Sequence, residues 1–252
     1  MAEAIVTALL ILIKISMRQC ALRPWCWGPV LLLGISFALA LQRGLLDWSG
    51  FYRSPLVALV SIMLPVFACA GALADEVTSG RVLLLHSMKT PRYVLVSAKI
   101  IGVATFCWLA WLGPHLLLAL HLARGAGTLS LTPGLLIPVY LLFHTLYFCS
   151  LLVFISVFVK SWGNSAIVFA GVFLVAIFLD AFERSLGELS PLLPDFLKTV
   201  ALGPMRFVAK VSVGTIPAPA EVLLVGFLTL FFWLVAVLSY SRKQIGLWAS
   251  QP

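Results

Sequence analysis

Charge is what this sequence has least of. Only 10% of its 252 residues are charged, and 9 Asp and Glu stand against 17 Lys and Arg. With 62% apolar residues and a mean hydropathy of +1.10, the composition excludes both a disordered chain and an ordinary soluble domain. No G-x-x-x-x-G-K-[ST] occurs, so a P-loop and intrinsic ATP hydrolysis are excluded. No H-E-x-x-H and no cluster of acidic metal ligands is present. The five cysteines, Cys20, Cys26, Cys69, Cys107 and Cys149, form no C-x-x-C pair, and they read as buried reduced thiols serving as small apolar residues. The apolar centres of the long hydrophobic runs contain no Asp, Glu, Lys or Arg, which argues against an ion-driven carrier.

What is present is membrane-length hydrophobicity. A spanning helix needs roughly 20 mostly apolar residues. The sequence predicts an all-α membrane protein with six spans: Trp25–Leu41, Pro55–Leu73, Ile100–Ala123, Leu135–Val159, Ser161–Leu179 and Val222–Tyr240. The runs are continuous rather than alternating, which favours helices over barrel strands. Residues 1–252 read as one transmembrane domain, without an internal repeat. Gly113-Pro114 is expected to kink the third span or end its regular part. Trp48, Phe51 and Tyr52 are expected to form part of an aromatic belt at the outer interface.

Residues 1–23 read as a helix lying along the interface. Glu3, Thr7, Lys14 and Arg18 share one face, interrupted by Ile11, while Ile5, Leu9, Leu12, Ile13 and Met17 form the other. The alternative is an apolar leader into the first span. Met1-Ala2-Glu3 lacks a basic n-region and no cleavage site follows, so a cleavable signal peptide is not expected. Lys and Arg in the short loops place both termini on the cytoplasmic side. The net charge of +8 then reads as a topology and lipid-headgroup signal, and nucleic acid is not an expected partner.

The histidines are His86, His115, His121 and His144. His115 and His144 fall inside spans, where hydrogen bonding across helices outweighs soft-metal ligation with Met63, Cys107 and Cys149. Gly163-Asn164-Ser165-Ala166 resembles the G-x-S-G of rhomboid proteases. That chemistry needs a histidine base from a later span, and no His follows His144.

The polar passage Asp75–Lys99 carries the most information. An acidic residue, Glu76, ends one run, Ser79-Gly80 enters a short Leu-rich helix, and Thr90-Pro91-Arg92 breaks it before the next span. Thr90 suits a helix cap with Pro91 in the first turn, and Lys89 suits the preceding helix's C-terminal end. The plain alternative is a basic loop that only sets topology.

This passage resembles the permeases of type-2 ABC exporters. Glu76, Gly80, Leu83-Leu84-Leu85, Ser87, Pro91-Arg92 and Lys99 occupy the family's places, while Arg81, Lys89 and Ala98 depart from Thr, Pro and Gly. The order of the remaining parts is also similar: interfacial helix, six spans, a short-helix segment before the sixth, and the basic stop Tyr240-Ser241-Arg242-Lys243.

The resemblance implies a multi-pass subunit, expected in a bacterial inner membrane, that dimerises as a homo- or heterodimer. It implies that residues 76–92 form a cytoplasmic hairpin coupling to two separate ABC ATPase subunits through Glu76, Gly80, Arg81, Leu84, Pro91 and Arg92. The chain itself would then be no enzyme and hold no cofactor, with ATP and Mg on the partner. The second and fifth spans would form the dimer seam, with Gly71 and Gly171 allowing close contact. The proline-rich segment 181–220 is expected outside the membrane, with short helices over Phe196–Leu202 and Met205–Val213, either dipping into the membrane or lying on its surface. By resemblance it would be an outer lid, with Phe196 and Phe207 as an outer gate. Other readings are a secondary transporter or channel, and a membrane assembly factor that moves nothing.

Overall fold

The computed structural model describes residues 2–43, 47–69, 91–125, 131–158 and 204–242, with isolated helical positions at 167, 170, 171 and 174. All regular structure among these residues is helical. In chain order the helices are α1 (Ala2–Leu22), α2 (Pro24–Gln42), α3 (Trp48–Tyr52), α4 (Pro55–Cys69), α5 (Arg92–Gly125), α6 (Leu131–Ser156), α7 (Met205–Ser212) and α8 (Pro219–Arg242).

Proline punctuates the helix starts. Arg23 is extended, and Pro24 follows as the first residue of α2. Proline lacks the N–H that a continuing helix needs, but at the first turn that donor is unused. α4 and α8 likewise begin at Pro55 and Pro219, and Pro91 directly precedes α5, its carbonyl accepting from Val94 N at 3.0 Å. α3 is started instead by Asp47, whose carboxylate accepts from Gly50 N at 2.9 Å and from the Ser49 hydroxyl at 2.6 Å.

Five of the helices carry runs long and apolar enough to cross a membrane: Ile5–Leu22, Pro24–Gln42, Arg92–Arg124, Thr132–Ser156 and Pro219–Tyr240. The chain is therefore a multi-helix protein compatible with several membrane crossings. The list differs from the six expected spans in three places. α1, read as interfacial, is itself long and apolar enough to span. α4 is described for 15 residues, Pro55–Cys69. Of the expected span Ser161–Leu179 only four helical positions are described.

The long helices α5 and α6 form the centre. α5 packs against α1, α6 and α8, while α4 joins α2 to this core and also touches α5 and α6. α5 does not end at Gly113-Pro114, as one expectation had it, but runs through Pro114 to Gly125. Neighbouring groups in a helical membrane protein can make good the hydrogen bonds that a proline removes.

The aromatic segment departs from its expected role. Trp48, Phe51 and Tyr52 do not form an exposed belt but are 7%, 0% and 1% accessible. Phe51 meets Phe37 of α2 edge-on, and Trp48 lies over the His115 ring with centroids 5.1 Å apart. The short helix α3 turns all three rings inward, where burial of their large apolar surfaces outweighs an interfacial position.

Candidate functional site

The residues expected to couple to a partner divide sharply. Glu76, Gly80, Arg81 and Leu84 lie outside the described residues, as does Phe196 of the expected outer gate. Pro91 and Arg92 are half-buried at the start of α5. Phe207 is buried on α7, its ring edge-on to Tyr140 of α6 at 5.6 Å.

The beginning of α5 is fastened on two sides. Two turns into the helix, Lys99 is buried and its Nζ donates to Gln19 Oε1 of α1 at 2.5 Å. Just before it, Ser97 Oγ accepts from Trp233 Nε1 of α8 at 3.0 Å. Farther along, Gly102 faces α1 so closely that a Cβ there would meet Ser16 Cβ at 2.7 Å and the Ile13 carbonyl at 2.8 Å. Only a residue without a side chain permits that approach. A small recess of about 10 Å³, lined by Ser16, Gln19, Cys20, Arg23, Lys99 and Val103, lies at this junction. It has room for roughly one water. Lys99, placed by the sequence beside the start of the third span, is thus a buried cation within α5.

The segment expected on the outer side is fastened as well, where it is described. The apolar face of α7, formed by Phe207, Val208 and Val211, is buried, and α7 packs on α6 and α3 of the same chain. Gly214, with φ +81, closes α7, and the chain turns into α8. Lys210 Nζ bridges back to both carboxylate oxygens of Glu221 at 2.6 and 2.7 Å. The carboxylate also accepts from Ala218 N at 3.3 Å.

Two histidines answer two of the prolines that lie inside helices, a pairing that sequence spacing did not disclose. Pro65 lies within α4 and Pro138 within α6. Lacking an N–H, each leaves the carbonyl four residues earlier without its helical donor. Those carbonyls belong to Ser61 and Gly134. His144 Nε2 donates to Ser61 O at 2.9 Å, and His115 Nε2 donates to Gly134 O at 3.0 Å. A carbonyl only accepts, so both rings carry their proton on Nε2. His115 Nδ1 then accepts from the Tyr52 hydroxyl at 2.9 Å. Trp108 Nε1 adds a donor to Pro138 O at 2.9 Å, so α5 places two ring N–H groups along one proline turn of α6. The reading of these histidines as bonds between helices is the one the geometry bears out. The signal was available in sequence as Ser61-x-x-x-Pro65 and Gly134-x-x-x-Pro138, but the donors had to be found in space.

The five cysteines are all free and buried. They come from α1, α2, α4, α5 and α6, yet they gather in one region. Cys20 Sγ approaches Ala68 O at 3.8 Å, Cys26 Sγ approaches Phe67 O at 3.8 Å, and Cys149 lies beside Cys69 and Cys107. Buried thiols of this kind pack as small apolar groups. Among the described residues, no group of three or more His, Cys, Asp or Glu is placed to hold a metal ion.

Gly171, expected to favour a close seam, has nothing within 4 Å of where a Cβ would sit, and Gly71 lies outside the described residues.

No family model and no curated protein matches the chain.

The geometry assembles no acid–base pair, activated nucleophile or metal centre among the described residues. What it does assemble is mechanical. One helix, α5, receives polar or close-packed contacts from α1, α6 and α8, and its first residues directly follow the charged passage.

Proposed function

We propose that this chain is the membrane-spanning subunit of an ATP-driven exporter of the type-2 ABC kind, moving its substrate with energy from separate ATPase subunits. The observation that carries the reading is the double fastening at the beginning of α5. Pro91 and Arg92 join residues 76–90 to a helix held by Lys99–Gln19 on one side and Ser97–Trp233 on the other. A displacement applied at Pro91 would reach α1 and α8 together rather than bend a free helix end. In this reading ATP closes the partner ATPases, the hairpins of two permease protomers move, and the helices behind them reorient in the membrane, with both termini cytoplasmic. α7 then serves as an outer lid, with Phe207 seated against Tyr140 when it is closed.

Co-purification tests the proposal. The tagged chain, expressed with its genomic neighbours, is expected to recover an ABC ATPase in equal amount. Glu76→Ala and Gly80→Val are expected to lower that recovery several-fold while membrane insertion is retained. Recovery of no ATPase by the wild-type chain, or undiminished recovery and transport in both variants, would remove the coupling assignment.

A further inference from the structure

Two cations from different parts of the chain meet at the recess between α1 and α5, and the export reading uses only one of their bonds. Lys99 lies in α5 and is 4% exposed. Arg23 stands half-buried at the corner between α1 and α2. Both line the recess of about 10 Å³, with Gln19 beside them and Ala68 and Val103 as apolar wall. The backbone fixes the corner: Arg23 N donates to Cys20 O at 3.1 Å, and Arg23 O accepts from Cys26 N at 3.1 Å. Lys99 Nζ donates to Gln19 Oε1, a neutral oxygen, so that bond satisfies a donor without balancing a charge. The helices that form the recess carry almost no negative charge. α2, α4 and α5 contain no Asp or Glu. The one carboxylate of α1, Glu3, is roughly 20 Å along the helix from Ser16.

We propose that this recess binds a single halide ion, with the Lys99 ammonium as its contact and Arg23 as a second positive charge at the rim. Size chooses the ion. The space suits one particle of about the size of water. A chloride ion is only slightly larger, whereas phosphate, sulfate and carboxylate each bring several heavy atoms. Water fits the space but does not answer the charge, and a buried cation is costly unless an anion offsets it. A halide accepts donors from any direction, so an ammonium and the N–H groups of the Gln19 amide can serve it against an apolar wall. Bound there, the ion adds an electrostatic link between α1 and α5, and the folded chain gains stability as chloride rises. The inference goes beyond the export reading and does not depend on an ATPase partner.

The test uses the full chain, purified in a neutral detergent and held in gluconate at fixed ionic strength. Equilibrium binding of radioactive chloride is expected to saturate at a single ion per chain. Bromide is expected to compete, and sulfate is expected not to. Replacing gluconate by chloride is expected to raise the thermal midpoint by a few degrees. Lys99→Met is expected to abolish saturable binding, and Arg23→Gln to weaken it several-fold. Arg23 is only half-buried, so its variant decides the matter if Lys99→Met is not recovered folded. Lys14 and Arg18 are exposed cations elsewhere on α1, and Lys14→Gln with Arg18→Gln is expected to bind as wild type does. The absence of saturable chloride binding, equal competition by sulfate, or loss of binding in the Lys14–Arg18 control would overturn the proposal. Wild-type affinity in Arg23→Gln and in folded Lys99→Met would do the same. So would binding that appears only after Asp75→Asn with Glu76→Gln, which would give the place to a carboxylate of the chain itself.

Discussion

Two kinds of seam in the bundle are built from residues defined by what they lack. Between α1 and α5 the missing part is a side chain: Gly102 lets the helices approach until Ser16 and the Ile13 carbonyl stand where a Cβ would go. Between α4 and α6, and between α6 and α5, the missing part is an N–H. Pro65 and Pro138 release carbonyls that His144 and His115 take up. At Gly102 the first seam is steric and intolerant of any added atom, with the Lys99–Gln19 hydrogen bond one turn away. The second is polar, and it should tolerate a change in either partner as long as the carbonyl has a donor. A glycine contact is local to one point, whereas a proline–histidine contact transfers a helix's own hydrogen bond to its neighbour.

Opposite substitutions should expose this difference. The largest effect is expected for Gly102→Val, because one of the obstructing atoms is backbone and cannot rotate away. Overpacking of this sort costs about 1–3 kcal/mol, and the upper end is expected here. It should appear as a lower thermal midpoint and reduced recovery of folded protein in detergent. A wild-type midpoint would mean that α1 slides freely on α5.

His144→Leu should follow, at about 1–2 kcal/mol, by leaving the Ser61 carbonyl buried without a donor. The informative experiment combines it with Pro65→Ala. Restoring an N–H at position 65 returns a donor to Ser61 within its own helix. The loss from His144→Leu is therefore expected to be clearly smaller in the Pro65→Ala background than in wild type. Strict additivity of the two substitutions would show that the histidine and the proline are not one device.

The smallest effect is expected for Ser16→Ala. Ser16 Oγ donates only to Leu12 O of its own helix at 2.9 Å, and the Cβ that touches Gly102 is retained. A change below about 1 kcal/mol in denaturation of the purified chain would assign the seam to shape rather than to the hydroxyl. A larger loss would make the contact at Gly102 depend on the hydroxyl and erase the contrast there.

These seams also show where sequence reading succeeds and where it stops. The helices were legible because each rests on a local signal. Continuous apolar runs marked α2, α5, α6 and α8. A polar stripe at helical spacing marked α1. The segment Met205–Val213 was expected as a short helix, and α7 spans Met205–Ser212. What α7 packs against was not legible, because Phe207 carries no mark of Tyr140 in its own neighbourhood. The inward turn of Trp48, Phe51 and Tyr52 was missed for a similar reason: exposed interfacial rings and buried core rings have the same composition. Lys99 was assigned by its charge to a loop boundary, yet Gln19 lies far enough away in sequence that no window joins them. Proline was read for its effect on its own helix, and Gly71 and Gly171 for contact at a dimer seam. The packing of Gly102 on α1 and the carbonyls freed beside Pro65 and Pro138 required the fold.

The separation in the first seam has a consequence for how the chain is made. Gln19 and Lys99 are 80 residues apart. At synthesis rates of roughly 5–20 residues per second, α1 therefore exists for about 4–16 s before its partner surface is complete. During that interval the Ser16 hydroxyl is satisfied within its own helix, and the remaining inner face is mostly apolar. The first helix can thus wait at the bilayer without an exposed hydroxyl demand, and the arrival of Gly102 sets the moment at which it stops being a free membrane-associated segment and becomes part of a bundle.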